Sequence, residues 1–237
     1  MKLRGSKIFL TISIIIVATL FFVGFLFRVS NETNKRVVVE RLKQAVRMVD
    51  DAPEIPSALN VIHQYVMEEF KKGNIPLGDI TEIKSEAKTN PEDYPAQYEM
   101  VSDILYINPY LNIRSEIWIP ILYHELTHKW ERNKYYVNTP KQHWEESIFE
   151  LESTAYTTIA QAWALVGRYY PIKEEGLTKE EKVFVKSFKD ISDAYNELQA
   201  AIKKEDIDLE KQEGWDKLQK TEAWQNWTSL IQSQIEK

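Results

Sequence analysis

The chain has 237 residues, 30 Lys+Arg against 36 Asp+Glu for a net charge of −6, and 43% hydrophobic and 12% aromatic residues. That composition belongs to a folded protein, and its acidic balance argues against nucleic acid as a partner, because phosphate contact needs clustered Lys and Arg. It contains no Cys, which excludes a disulfide framework, a Cys-ligated zinc finger, an iron–sulfur cluster and thiol catalysis.

Ile8 to Phe27 is an uncharged apolar run. At about 1.5 Å per residue such a helix reaches roughly 30 Å, the thickness of a hydrocarbon core. Lys2, Arg4 and Lys7 precede it, and its exit, Val23 to Arg28, lacks a small-x-small cleavage site. The expectation is an uncleaved signal anchor over 1–28 with a cytoplasmic N-terminus, placing the rest of the chain outside the cytoplasm. Arg28, Lys35, Arg36 and Arg41 on the far side weaken that charge bias, so a domain facing the cytoplasm is the alternative.

The remainder reads as mostly helical. Val38, Leu42, Ala45, Val46 and Val49 make one apolar stripe, and Leu59, Ile62, Val66 and Phe70 make a second that Gly73 ends. Pro53 and Pro56 separate the two. Three short segments, Ile80 to Ile83, Gln97 to Val101 and Asp103 to Ile107, look extended and predict a small sheet. Helices then resume from Ser115 to about Asn133, and from about Pro140 to Tyr170. Thr178 and Glu181 make a capping box, followed by Phe184, Phe188, Ile191, Tyr195, Leu198 and Ile202 at heptad spacing. Residues 205–237 carry Trp215, Trp224 and Trp227 among charges. The fold expected is mainly α with a small β-sheet, organised as a core over 29–172 and a helical extension over 173–237.

Within the Ser115 helix stands Tyr123-His-Glu-Leu-Thr-His128, which contains H-E-x-x-H. Positions i and i+4 share a helix face, so His124 and His128 can both ligate one Zn²⁺, with Glu125 placed to take a proton from the water it activates. Ile117, Ile119, Ile121 and Leu122 precede the motif, so the helix is expected to be buried. Two His and a Glu in such a helix need a reason. His63, between Ile62 and Val66, reads instead as a core histidine with its polar atoms satisfied.

A catalytic zinc needs a third protein ligand. A third His ten residues after His124 is excluded, since Lys134 stands there. The candidates are Glu145, Glu146, Glu150 and Glu152 on the following helix. Ile148, Phe149, Ala155, Tyr156 and Ile159 trace its apolar face, and Glu145 and Glu152 fall within it. Glu146 and Glu150 align with Ser153, Thr154 and Thr157. A carboxylate in an apolar stripe is costly unless paired or metal-bound. Glu152 is therefore the expected ligand, with Glu145 the alternative and otherwise a second group bonded to a ligand His.

HELTH followed 24 residues after His128 by Glu152-Ser-Thr-Ala155, with Ile104-Leu-Tyr-Ile-Asn-Pro109 ahead of it, resembles the short gluzincin zinc metallopeptidases over roughly 97–160. Tyr156 stands where the thermolysin-type E-x-x-x-D would have its Asp. The resemblance implies peptide-bond hydrolysis, with Glu125 as base and then acid. It also implies that the strand just before the active-site helix holds extended substrate at its edge, and that a Tyr or His steadies the oxyanion, for which Tyr156, Tyr123 and His143 are candidates. The partners expected are a protein or peptide substrate and the membrane. The alternative is a catalytically inactive zincin-like interaction module that docks through its Trp-rich C-terminus.

Overall fold

The computed structural model describes residues 33–80, 95–136 and 147–235. The apolar run over 8–27 lies outside them, as do His143, Glu145 and Glu146. Among the described residues, no helix is long and apolar enough to cross a membrane.

The fold is mainly α with a small mixed sheet. Helix α1 covers 33–50, and its stripe of Val38, Leu42, Ala45, Val46 and Val49 is fully buried. Helix α2 (Ser57–Ile62) continues through a π-helical turn (His63–Met67) into α3 (Glu68–Lys71), and Gly73 leaves it with φ +74°. That left-handed exit is open to glycine at no steric cost. Leu59, Ile62, Val66 and Phe70 all face the core, as their spacing predicts.

The sheet has the order β1-β3-β2. Strand β1 (Leu77–Asp79) runs parallel to β3 (Ile104–Ile107), with Leu77 opposite Leu105. Strand β2 (Ala96–Glu99) pairs antiparallel with β3, with Ala96 opposite Ile107. The first strand therefore forms ahead of the expected Ile80–Ile83, and residues 81–83 lie outside the described part. Ile80 instead drops fully buried into the core.

Helix α4 (Ser115–Glu131) is the centre of the molecule. It packs against β2, α2 and the next long helix, α5 (Ile148–Tyr169). A helix apolar on all sides must be covered on all sides, and Ile117, Trp118, Ile119, Leu122, Tyr123 and Leu126 are each at most 1% exposed. Several of its polar residues have partners outside the metal centre. Ser115 donates to Gln44 at 2.9 Å, Thr127 bonds the Tyr123 carbonyl and the Thr158 hydroxyl, and Lys129 pairs with Asp103. A π-helical turn (Arg132–Tyr136) follows.

Helix α6 (Lys179–Lys204) begins with the anticipated capping box, Thr178 and Glu181 bonding each other's backbone N–H. Phe188, Ile191 and Leu198 are buried against the same core. Helices α7 (Gln212–Leu218) and α8 (Glu222–Ile235) close the chain. Trp227 of α8 is 1% exposed and packs with Tyr195. It is spent on packing, which removes it from any docking surface.

Candidate metal centre

Two helices build the site. α4 presents His124 and His128 one turn apart, with their rings perpendicular and centroids 4.9 Å apart. α5 presents Glu152. The helices approach closely because Ala155, fully buried, stands where a larger side chain would hold them apart, and because Thr127 and Thr158 join them by a 3.0 Å hydrogen bond. Glu152 then reaches both imidazoles. His124 Nε2 is 3.5 Å from Glu152 Oε2, and His128 Nε2 is 3.5 Å from Glu152 Oε1. One ligand atom from each of the three lies within 4.8 Å of the others.

These separations are too long for hydrogen bonds. They suit ligands of one small cation, since metal–ligand bonds of about 2.0–2.1 Å in a tetrahedron leave ligand atoms about 3.3 Å apart. The donor set, two imidazoles and a carboxylate, is that of a zinc site with an open fourth position. The Nδ1 atom of His124 is buried and makes no well-formed hydrogen bond. The three residues therefore fit a divalent zinc. Of the four glutamates weighed from the sequence, Glu152 is the one seen at the histidines. Glu150 is exposed, while Glu145 and Glu146 lie outside the described residues. Ile148, expected on the apolar face, is 45% exposed because it opens the helix rather than entering the core.

The site is short of positive charge. Burial, reinforced by the nearby His128, holds His124 well below the usual imidazole range and favours its neutral, ligating form. Burial acts downward on His128 as well. Glu131, Glu152 and Glu125 outweigh it and push that imidazole up to about 9. Glu125 itself is 8% exposed. Burial pushes its carboxyl up to about 7, against the opposing pull of His128 and of the Tyr98 backbone N–H. That N–H, from the middle of β2, donates to Glu125 Oε2 at 2.7 Å. Tyr156, one turn beyond Glu152, sets its ring edge-on to His124 at 5.0 Å.

No protein family, characterised protein or solved structure matches this chain.

The candidates for steadying an oxyanion separate by position. Tyr156 reaches the site. Tyr123 does not, since its fully buried hydroxyl bonds His63 Nδ1 at 2.7 Å. His63 Nε2 in turn bonds Asp50 at 2.7 Å, so His63 is a satisfied core histidine. His143 and Glu145, the other expected neighbours of the metal ligands, lie outside the described residues. Two contacts were not foreseen. One is the Tyr98 N–H on Glu125, which depends on how a strand lies against a helix. The other is Glu131, 3% exposed, with Oε2 3.4 Å from His128 Nδ1. Its signal was available, because it sits three residues after His128 on the same helix face.

Proposed function

We propose that the chain is a zinc-dependent metallopeptidase of gluzincin type, tethered to the membrane through residues 8–27 with its catalytic domain outside the cytoplasm. The observation that carries the hydrolytic reading is the convergence of His124, His128 and Glu152 at metal-ligand spacing, with a buried carboxyl, Glu125, beside them.

When bound there, zinc supplies Lewis acidity, acidifying water and polarising a carbonyl. The rest falls to the chain's own groups. Glu125, with a proton affinity near neutrality, accepts a proton from the attacking water and passes it to the leaving amine. The Tyr98 N–H holds Oε2, so proton traffic falls to Oε1. Tyr156, packed on His124, is the group placed to steady negative charge on the substrate oxygen. The strand just ahead of α4, β3, is paired on both sides and offers no edge, so the expected substrate edge passes to β2, which among the described strands is an edge and lies on α4. An extended peptide added to that edge would run past the metal ligands, so the substrate is a protein or peptide in extended conformation.

The test is hydrolysis of an unfolded protein such as casein by the purified, zinc-loaded chain. Cleavage should stop with a chelator and should fall by about 10²–10⁴-fold in Glu125→Gln, which keeps the ligands and removes the base. Undiminished cleavage in that variant would overturn the mechanism. The tether is tested separately, with a C-terminal reporter that is active only in the cytoplasm. Activity there would overturn the orientation.

A further inference from the structure

Glu131 is a carboxylic acid in a place that disfavours one. It is 3% exposed in the last turn of α4, where a buried carboxylate is costly unless paired. Neither adjacent base relieves it. Lys129 is turned to Asp103, and Arg132 donates to the Met100 carbonyl and lies 3.4 Å from Asp103. The Thr154 side chain on α5 hydrogen-bonds the Glu131 carboxylate, whose Oε2 makes no well-formed hydrogen bond and lies 3.4 Å from His128 Nδ1. The His128 ring is thus held between two carboxylates, Glu131 at Nδ1 and Glu152 at Nε2, 3.5 Å away. At His124 the backbone of Ala155 stands in the corresponding role, and no ion pair at its Nδ1 is seen among the described residues.

We propose that Glu131 is the positioning residue of the metal centre: its carboxylate faces the Nδ1 edge of His128, fixes the ring, and leaves Nε2 facing His124 and Glu152. This rests on the metallopeptidase reading above. Two helix positions three apart preset the pair, so its geometry does not wait for metal. A ligand histidine held in this way is a stronger base and a better-oriented donor, and removing such a partner weakens metal binding by about 10–100-fold.

The experiment is zinc affinity of the full chain, measured by competition with a chromophoric chelator and read again from the absorption spectrum of the cobalt-substituted protein. Glu131→Ala should bind zinc about 10–100-fold more weakly than wild type and shift the cobalt bands. Glu131→Gln, whose amide oxygen keeps an acceptor facing Nδ1, should recover most of that loss. Thermal unfolding of the metal-free proteins separates positioning from packing. Loss of a buried carboxylate should leave the metal-free Glu131→Ala chain at least as stable as wild type. A residue needed only for packing would lower that stability and leave zinc affinity alone. If the alanine variant does not fold, a few-fold loss in Glu131→Gln carries the proposal. Affinity within twofold of wild type in the folded variants overturns it while leaving the metal centre standing. A wild-type chain that binds no zinc overturns both.

Discussion

Tyr123 and His124 are neighbours in sequence that serve opposite tasks on α4. His124 turns toward Glu152, while Tyr123 turns into the core and closes a chain of polar groups through His63 to Asp50, which Lys71 also pairs. This chain ties α1, the π-helical turn after α2, and α4 together beside the proposed ligand His124. Burial raises the Tyr123 phenol well above its ordinary range, so it serves as a neutral hydroxyl. Tyr123→Phe strands His63 and should destabilise the fold by about 1–3 kcal/mol in denaturant titration, with zinc affinity unchanged. At this scale the sequence was legible where spacing alone decides. His124, Glu125 and His128 follow from one helical turn, and Glu152 follows from the phase of α5. Of their partners, Glu131 lay within reach of helix spacing, whereas the Tyr98 N–H did not. The Tyr98 N–H reaches Glu125 only because β2 lies across α4, a tertiary fact that no local period encodes.

Among the elements, long helices followed their apolar stripes, two of the three strands formed within a few residues of where they were expected, and the first did not. The stripes of α1 and of the α2–α3 segment are buried residue for residue, even though a π-helical turn interrupts the second. A strand of three residues offers no period to read. Leu77–Asp79 formed where Leu105 could pair with Leu77, and Ile80 left the sheet for the core. The β2–β3 hairpin is held down by α4. Asp103, at φ +59°, accepts from Lys129 and from the Tyr98 hydroxyl. At the start of α6 the capping box does two jobs, because Glu181 also accepts from the Arg114 backbone and guanidinium at 2.9 and 3.1 Å. Burial acts to raise the Glu181 carboxyl, but the Thr178 and Arg114 donors outweigh it, and the net shift is downward. A carboxyl depressed in the folded state stabilises it above the unfolded glutamate value of about 4.3, and that contribution is lost as pH falls through the folded value. Wild type should therefore be more stable than Glu181→Gln at pH 6, by about 1 kcal/mol, and the gap should close below about pH 4. Unfolding curves at the two pH values check this, and a gap that widens on acidification would contradict it.

For the molecule as a whole, the helices after residue 172 pack on the core that carries the site. α6 and α8 both contact α5, and Trp227 donates through Nε1 to Ser153, the residue next to Glu152, at 3.3 Å. The sequence disclosed these helices through the Thr178 cap and the spacing of Phe188, Ile191 and Leu198, but it gave no sign of which Trp would be buried. Trp215 stays 38% exposed while Trp227 is enclosed, because α8 meets α5 and α6 along its Trp227–Ile231 face. Trp227→Ala should cost about 3–5 kcal/mol of stability, read from the unfolding midpoint, whereas Trp215→Ala should cost far less. The central claim is that α4 and α5 together make a zinc site. Its most direct test is elemental analysis of the purified chain beside Glu152→Ala and Glu150→Ala. Wild type and Glu150→Ala should each hold about one zinc per chain, and Glu152→Ala none. A well-folded wild type without zinc, or a Glu152→Ala chain that keeps it, would contradict the claim.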